Sequence, residues 1–409
     1  MRKMIPFCDT DITDLEIEKV VDTLKSGWIT TGPNVKEFEN RIAKYCGVEK
    51  AVCLNSATAA EELNLRICGI GEGDEVIVPA FTYSATVSSV IHCGAKVVMI
   101  DNAKDSPEMD FDLVAKAITP KTKAIVGVDY AGIVANYSRL YEIAESKKNM
   151  FSPLRGDSIG ARIQQEKGRI IVIADGAHSF GASQNGIMSG NIADFTSFSF
   201  HSVKNLTTGE GGALTWKSIK GIEDEEIYKM YQLLSLHGQN KDSQAKNQLG
   251  GWEYDIIGTW YKCNMTNYTA AIGLGQLERY AGLLKRRKEM ISLYNEAMDK
   301  CGIYRLKHYT DIDQSSGHLY ITRIPGIDEI KRNEIIIKMA ENGIACNVHY
   351  KPLPMMSAYK ELGFDIKDYP NAYDYYKNLI TLPLYTKLSN EDIEYIKDNY
   401  ISIVKNLRE

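Results

Sequence analysis

Residues 194–216 read DFTSFSFHSVKNLTTGEGGALTW, the stretch that is most informative about the fold. Two runs rich in β-branched and aromatic residues, DFTSFSF and GGALTW, flank a polar turn that contains Lys204 and a group of glycines. The runs predict two strands joined by a tight connection. A lysine that acts as an amine nucleophile must be held in place and be neutral for part of the time. Taken alone, Lys204 is more typical of a solvated loop charge.

The sequence on the amino side of this stretch repeats the pattern of short apolar runs separated by helical segments. Further strand candidates are AVCLN (51–55), EVIVPA (75–80), KVVMID (96–101), KAIVGVDY (123–130) and RIIVIAD (169–175). Strands that alternate with helices predict an α/β sandwich around a largely parallel sheet. After about residue 260 a long helical pattern at 265–300 leads into a smaller α+β region. We therefore expect a large domain at 1–262, with an arm at 1–30 packed on the rest, and a small domain at 263–409.

Polar clusters follow most of the predicted strands: NSAT, FTYS, DYAG, DGAH and the lysine turn. Open α/β sheets bind ligands outside the carboxyl ends of their strands, so these clusters predict one site. Asp175 ends a buried strand, where a carboxylate is costly without a cation such as the pyridinium of pyridoxal 5'-phosphate (PLP). Helix capping is the alternative role for this aspartate.

Two of the clusters are ambiguous when each is considered alone. NSATAA (55–60) places small residues at a predicted helix start, where free N–H groups suit a phosphate. Ordinary capping by Ser56 or Thr58 explains the same letters. FTYS (81–84) offers an aromatic ring that could stack on a flat cofactor, or that could simply pack in the core.

Composition excludes several classes of function. The 409 residues carry a net charge of −5 with a pI near 5.9, which argues against nucleic-acid or anionic-membrane surfaces. No stretch approaches the roughly 20 apolar residues of a membrane span, and the N terminus lacks an apolar signal region. The eight cysteines form no C-x-x-C pair, so we expect neither a zinc site nor disulfides. A cytoplasmic protein is the expectation.

Nearly the whole chain, residues 5–405, resembles the DegT/DnrJ/EryC1/StrS family of fold-type I, PLP-dependent aminotransferases that act on nucleotide-linked keto sugars. The most specific matches are IADGAHSFGA and SFSFHSVKNLTTGEGGAL, and others include NSATAA, GEGDEVIVPAFTYSAT, YKCNMTNYTAAIGLGQL and NGIACNVHY. The resemblance implies a seven-stranded, mostly parallel sheet. It also implies transfer of an amino group, by way of PLP, from L-glutamate to the keto sugar, with 2-oxoglutarate as the other product.

The resemblance assigns roles residue by residue. Lys204 would hold PLP covalently and shuttle the proton, and Asp175 would pair with the ring nitrogen. The remaining contacts would be a ring stack from Tyr83, a contact to the ring oxygen from His178, and phosphate contacts from Ala57, Thr58 and Ser199. Asn264 would reach the cofactor of a neighbouring subunit, which implies a homodimer with shared sites.

Some features depart from the family pattern. Glu61 and Glu62 stand where small or apolar residues are usual, and Pro354 stands where a second histidine is expected. We expect none of these to touch the cofactor chemistry. The stretch 150–168 is longer than usual; together with 236–255 we expect it to shape substrate specificity, with a plain surface insertion as the alternative.

Other functions remain open at this stage. A different keto acceptor, such as a cyclitol ketone, or a non-catalytic PLP-binding sensor or scaffold would share most of these residues. Relatives that dehydrate sugars replace the lysine with histidine, so Lys204 argues against that reaction. A nucleotide-binding α/β protein is disfavoured because neither a G-x-G-x-x-G opening nor a GK[ST] loop is present.

Overall fold

The structure is a computed structural model that describes residues 4–241, 249 and 252–408. Within these ranges the strands, in chain order, are β1 (Ala51–Leu54), β2 (Glu75–Pro79), β3 (Lys96–Ile100), β4 (Thr122–Val128), β5 (Ile171–Asp175), β6 (Ser183–Gln184), β7 (Ile187–Met188), β8 (Phe195–Ser199), β9 (Gly212–Trp216), β10 (Tyr304–Arg305), β11 (Asp313–Gln314), β12 (Tyr320–Arg323) and β13 (Leu379–Leu382).

In the described part of the chain, seven of these strands form one sheet in the order β1-β9-β8-β5-β4-β2-β3. Strands β8, β5, β4, β2 and β3 run parallel to their neighbours in that order, and β9 is antiparallel to both β1 and β8. Each of the seven predicted strands coincides with a member of this sheet, so the fold prediction is confirmed. Two three-stranded sheets, β10-β12-β13 and β11-β6-β7, complete the described strands.

The helices over the same ranges are α1 (Asp14–Lys25), α2 (Pro33–Cys46), α3 (Ala57–Ile67), α4 (Ser84–His92), α5 (Phe111–Ala117), α6 (Tyr137–Ser146), α7 (Ile159–Lys167), α8 (Asp224–Ser235), α9 (Asn267–Lys300), α10 (Glu329–Glu341), α11 (Ser357–Glu361), α12 (Pro370–Tyr376) and α13 (Asn390–Arg408). In the ranges that the structure describes, none of them is both long and apolar enough to cross a membrane.

Helices cover both faces of the large sheet. Along β5, Ile171 and Ile173 join the core on one face, whereas Val172 and Ala174 join a separate core on the other. A strand that is buried on both faces needs an unbroken apolar run, which is the pattern the sequence shows at IIVIAD. The sandwich leaves the carboxyl edge of the parallel strands as the place where polar groups can converge.

Helix α9 confirms the long helix that was predicted at 265–300. Its first half, including Ala270 and Tyr280, packs in a core with α2, while Met290 and Tyr294 in its second half pack in the core of β12 and β13. The helix therefore belongs to two cores. The division into domains at 1–262 and 263–409 stays a prediction.

The N-terminal residues lie against the rest of the chain. Glu16 of α1 accepts a hydrogen bond from Arg279 of α9 at 2.6 Å. Ile5 pairs with the backbone on both sides of Ile344, since its N–H donates to Gly343 and its carbonyl accepts from Ala345. The chain from Ile5 to Glu16 therefore contacts both the backbone around Ile344 and helix α9.

The segment 150–168 does not lie where we expected it. It contains helix α7, and the Gln164 side chain donates to the carbonyl of Cys68 at 2.7 Å, just past the last turn of α3. Helix α3 runs about 16 Å from its start at the carboxyl edge of the sheet, so this segment lies at the opposite edge. The expectation that it shapes the site is wrong for this chain's own site. In the loop 236–255, residues 242–248 and 250–251 lie outside the described residues.

Candidate active site

A cavity of about 580 Å³ lies at the carboxyl edge of the seven-stranded sheet. The connections that follow β1, β2, β4, β5 and β8 all reach it, as the sequence predicted. Its lining includes the following residues that the resemblance had assigned to a cofactor: Ala57, Thr58, Tyr83, Asp175, His178, Ser199 and Lys204. A second described cavity of the same volume, beside Arg323 and Asn378, contains none of them.

Lys204 lies in a turn whose far side, at Thr208 and Gly211, is hydrogen-bonded to the backbone of Phe200. Phe200, the first residue after β8, donates its N–H to Gly211 and accepts the N–H of Thr208, each at 2.9 Å. Inside the loop, the Lys204 N–H donates to the carbonyl of His201 at 2.8 Å. Gly209 has a φ of +81°, a left-handed conformation that favours glycine. The turn therefore holds the lysine backbone rigidly at the cavity wall.

The amino group of Lys204 has no hydrogen-bond or ion-pair partner among the described residues. Burial lowers the pKa of Lys204 to about 8, against the opposing effects of the nearby Asp175 and Glu61 carboxyls. At pH 7 roughly a tenth of such an amine is neutral, compared with less than about a thousandth for an ordinary lysine. The lysine is thus available as a nucleophile, and the surface-loop alternative is excluded.

Asp175 ends β5 and is 5 % exposed. Its Oδ2 accepts the hydroxyl proton of Thr86 at 2.7 Å, and its Oδ1 accepts the N–H of Ala177 at 3.1 Å. The bond from Ala177 closes a local turn, as helix capping would, but no helix follows Asp175 directly. Two donors and the nearby lysine favour a charged carboxylate that faces the cavity.

Helix α3 begins at the cavity, with Ser56 as its N-cap accepting the N–H of Ala59 at 3.1 Å. The capping alternative is therefore real, yet the N–H groups of Ala57 and Thr58 remain at a helix N-terminus that lines the cavity. Gly212, the first residue of β9, passes so close that a Cβ there would lie 2.5 Å from the Ala57 nitrogen. The GEGG motif thus allows β9 to pack against this helix start.

His178 and Tyr83 are two ring side chains that line the same cavity. His178 Nδ1 accepts the N–H of Ala131 at 3.3 Å, which leaves Nε2 to donate to the Tyr350 hydroxyl at 2.9 Å. Burial and the Lys204 charge hold the pKa of His178 well below its usual range, so the ring is neutral. Tyr83 is 62 % exposed and tilts toward Tyr350 with ring centroids 5.9 Å apart. It is a cavity aromatic and not part of the core.

Sequence reasoning missed several residues of the cavity. Phe7 from the N-terminal segment stacks on His349 at 5.4 Å, and His318 packs on His178 at 4.3 Å. Glu61 is also in the lining, which corrects the expectation that the unusual glutamates of α3 lie away from the cofactor site. The side-chain direction of Glu61 was the missing signal: it follows Thr58 by three residues and so shares its face of the helix.

Glu62, Pro354 and Asn264 lie outside the lining of this cavity. The Glu62 carboxylate is largely buried beside α3, where its Oε1 forms an ion pair with Arg66 Nη2 at 2.9 Å. Asn264 pairs with the backbone of Leu54, and its side chain bonds Thr31 and Lys262. The role of Asn264 at a neighbouring subunit's site stays a prediction.

Comparison with known proteins decides the family. The model of the DegT/DnrJ/EryC1/StrS aminotransferase family matches residues 10–167 and 158–400, which together make up most of the chain. The chain belongs to the DegT/DnrJ/EryC1/StrS aminotransferase family. The protein is therefore an aminotransferase, and the family prediction made from its motifs is confirmed.

Individual relatives of this aminotransferase cover almost its whole length. Spr1654 from Streptococcus pneumoniae, assigned as a sugar aminotransferase, is 51% identical with a TM-score of 0.95 and 99% of both chains covered. Structures of that protein exist in apo, PMP and PLP forms. The spore coat polysaccharide biosynthesis protein SpsC of Bacillus subtilis is 34% identical over 95% of this chain and 94% of its own. The UDP-4-amino-4-deoxy-L-arabinose–oxoglutarate aminotransferase of Shewanella sediminis is 31% identical over 99% of both.

Proposed function

We propose that this aminotransferase uses PLP to move an amino group from L-glutamate to a nucleotide-linked keto sugar, in the biosynthesis of amino sugars for cell-surface polysaccharides. The observation that carries the proposal is the partnerless Lys204 amine, which shares one cavity with the Asp175 carboxylate. Relatives support each part. Spr1654 has PLP and PMP forms, SpsC is named for polysaccharide biosynthesis, and the Shewanella enzyme is named for a UDP-sugar and oxoglutarate.

The residues of the cavity fit PLP. A volume of about 580 Å³ is within the usual range for a small-molecule site, which is about 300–1,000 Å³. The partnerless lysine amine suits the aldehyde of the cofactor, and the buried carboxylate that lines the cavity suits its ring nitrogen. The helix N-terminus suits its phosphate. When bound, PLP supplies an electron sink for the carbanion formed at the substrate α-carbon.

Each side chain has a definite task toward this cofactor. Lys204 would hold it covalently between turnovers, and Asp175 would keep its ring nitrogen protonated. Ala57, Thr58 and Ser199 would bind the phosphate. Tyr83 would cover one face of the ring, and the neutral His178 ring would lie near the ring oxygen.

Lys204 also moves the proton. With its amine free, the Lys204 Nζ would be a base in a buried setting, since burial lowers its pKa to about 8. It would take the proton from the substrate α-carbon and later return a proton, acting first as base and then as acid. The hydrogen-bonded turn would hold the Lys204 backbone in place during both steps.

We further propose a cytoplasmic homodimer. All eight cysteines are free thiols, which is typical of proteins from reducing compartments. The exposed Tyr83 ring and the position of Asn264 outside its own cavity suit a site that a second subunit completes. Cofactor affinity in Asn264→Ala, measured on protein shown to be dimeric, tests this assignment; unchanged affinity would contradict it.

The first experiment is the visible absorption spectrum of the purified protein with PLP, before and after L-glutamate. We expect an absorption band of lysine-bound PLP that glutamate converts to the aminated form of the cofactor. Lys204→Ala should lose both the band and at least about 1,000-fold of turnover, because nucleophile and proton carrier disappear together. Lys220→Ala, at an exposed lysine, is the matched control.

The remaining outcomes separate the alternatives. A band that ignores glutamate would indicate another amino donor or a non-catalytic scaffold. No band after PLP is added would refute the proposal. A glutamate response without product from any nucleotide-linked keto sugar would leave another ketone, such as a cyclitol ketone, as the acceptor.

A further inference from the structure

Glu61 is a second carboxyl group in the active site, and nothing in the proposed mechanism uses it. Its side chain is 3 % exposed and lines the cavity from helix α3. Neither carboxyl oxygen accepts a hydrogen bond from a donor among the described residues, and the side chain placed to share a proton with it is the Asp175 carboxyl. Burying a polar group without a donor is costly, so natural proteins seldom keep one without a role.

The groups that face Glu61 are the Asp175 carboxyl at the end of β5 and the Lys204 amine after β8. Two carboxylates side by side in a buried cavity cannot both be ionised at low cost, so one of them holds a proton. The surroundings decide which one. Asp175 accepts hydrogen bonds from the Thr86 hydroxyl and the Ala177 N–H, and both favour its charged form.

Glu61 receives no comparable donor, so the proton belongs on Glu61. In agreement, burial raises the pKa of Glu61 well above its usual range, and the charge of Asp175 adds to the effect. A protonated carboxyl has one O–H to donate, and Asp175 is the acceptor that faces it. Opposite environments for two neighbouring acids are a common way to divide their roles.

We propose that Glu61 is a positioning residue of the cofactor site: as a neutral carboxylic acid it donates its O–H to Asp175 and holds that carboxylate against the ring nitrogen. The proposal rests on the proposed function, because the ring nitrogen is that of PLP. Glu61 keeps its proton throughout, and no bond is made or broken. A third donor, after Thr86 and Ala177, restrains the carboxylate in one orientation.

The protonation state can be tested without cofactor. Infrared spectra of the apoprotein and of Glu61→Gln are compared at neutral pH. We expect the wild type to show the C=O stretch of a protonated carboxylic acid that Glu61→Gln lacks. Identical spectra in that region would overturn the proposal. Since no PLP is present, this result is independent of whether the proposed function is correct.

The positioning role is tested by PLP dissociation constants. Glu61→Leu keeps the volume but removes the donor, and we expect about tenfold weaker binding, typical of a lost hydrogen bond to a charged group. Glu61→Gln should stay within about threefold, because its amide N–H replaces the O–H. In an Asp175→Ala background, Glu61→Leu should change little. Glu62→Gln, at the next position of the same helix but outside the cavity lining, is the matched control.

Two results would overturn the positioning role. One is a Glu61→Gln variant that binds PLP as weakly as Glu61→Leu. The other is an equal loss from Glu61→Leu whether or not Asp175 is present, which is what general disturbance of the helix would produce. Thermal unfolding of each apoprotein identifies a variant that fails to fold, and the infrared comparison on Glu61→Gln then still decides the proposal.

Discussion

The active-site cavity has two walls of different construction. The sheet wall comes from the ends of strands in the seven-stranded sheet and from the helices and turns that follow them. Its residues are Ala57, Tyr83, Asp175, Ser199 and Lys204. The arm wall comes from the N-terminal segment and the C-terminal third of the chain. Its residues are Phe7, His318, His349 and Tyr350.

The two walls also differ in how their groups are held. The groups of the sheet wall are fixed by backbone hydrogen bonds, such as those that pin the lysine turn to Phe200. The arm wall depends more on side-chain contacts between distant segments, such as the stacking of Phe7 on His349, beside a backbone hydrogen bond from His318 to Ala131. We expect changes in the sheet wall to remove catalysis or cofactor binding, and changes in the arm wall to alter how the acceptor is used.

The strongest test of this comparison is Asp175→Asn. The variant keeps the shape of the side chain but removes the charge that we propose to face the ring nitrogen of PLP, and we expect turnover to fall about 100-fold or more, as for other lost electrostatic partners. Steady-state rates with glutamate and acceptor measure it. Asp110→Asn, at the N-cap of α5 and outside the cavity lining, should leave turnover unchanged. A similar loss in both variants would contradict the role of Asp175.

The pH dependence of PLP capture tests the lysine. Only the neutral amine attacks the aldehyde, and the pKa of Lys204 is lowered to about 8 by burial. The rate of covalent attachment to the apoprotein should therefore rise about tenfold per pH unit below pH 8 and level off above it. Asp175→Asn should move the midpoint to lower pH, because the Asp175 charge raises the pKa of Lys204. Stopped-flow absorbance provides the rates, and a rise that continues to pH 10 would contradict the buried setting.

Gly212→Ala tests the packing of the sheet wall. A Cβ at this position would press on the backbone of Ser56 and Ala57, and we expect unfolding free energy to fall by about 1–3 kcal/mol, as for other overpacked sites. PLP affinity should fall as the helix start moves. Gly282→Ala is the matched control, since a Cβ there meets nothing within 4 Å and helices favour alanine. Equal denaturant midpoints for the two variants would show that the close approach is unimportant.

The smallest effect belongs to the arm wall. Tyr350→Phe removes the hydroxyl that His178 binds, at an expected cost of about 1 kcal/mol, which is roughly fivefold in rate. We expect the loss in the acceptor half-reaction, with the glutamate half-reaction and PLP affinity nearly unchanged. Single-turnover measurements of each half-reaction check this. A larger loss with glutamate would show that the two walls do not divide the work in this way.

Much of the sheet wall could be predicted from the sequence. The strand ends carry their polar residues in adjacent positions, so DGAH and SFHSVKN already place Asp175 and Lys204 at one edge of an α/β sheet. The setting of Asn264 at a second subunit and the domain division remain predictions. The expectation that 150–168 shapes substrate specificity at this chain's own site was wrong, because a polar loop gives no indication of which edge of the sheet it leaves from.

The sequence by itself determined the strands of the large sheet, the polar clusters that follow them, the family and the lysine that we propose to carry the chemistry, because these depend on local periodicity and short motifs. Only the tertiary structure brought Phe7, His318 and Tyr350 to one cavity, since they lie more than 300 positions apart at the extremes. It also turned Glu61 inward beside Asp175. The direction of a helical side chain, and the charge it meets, depend on packing between segments that local sequence does not encode.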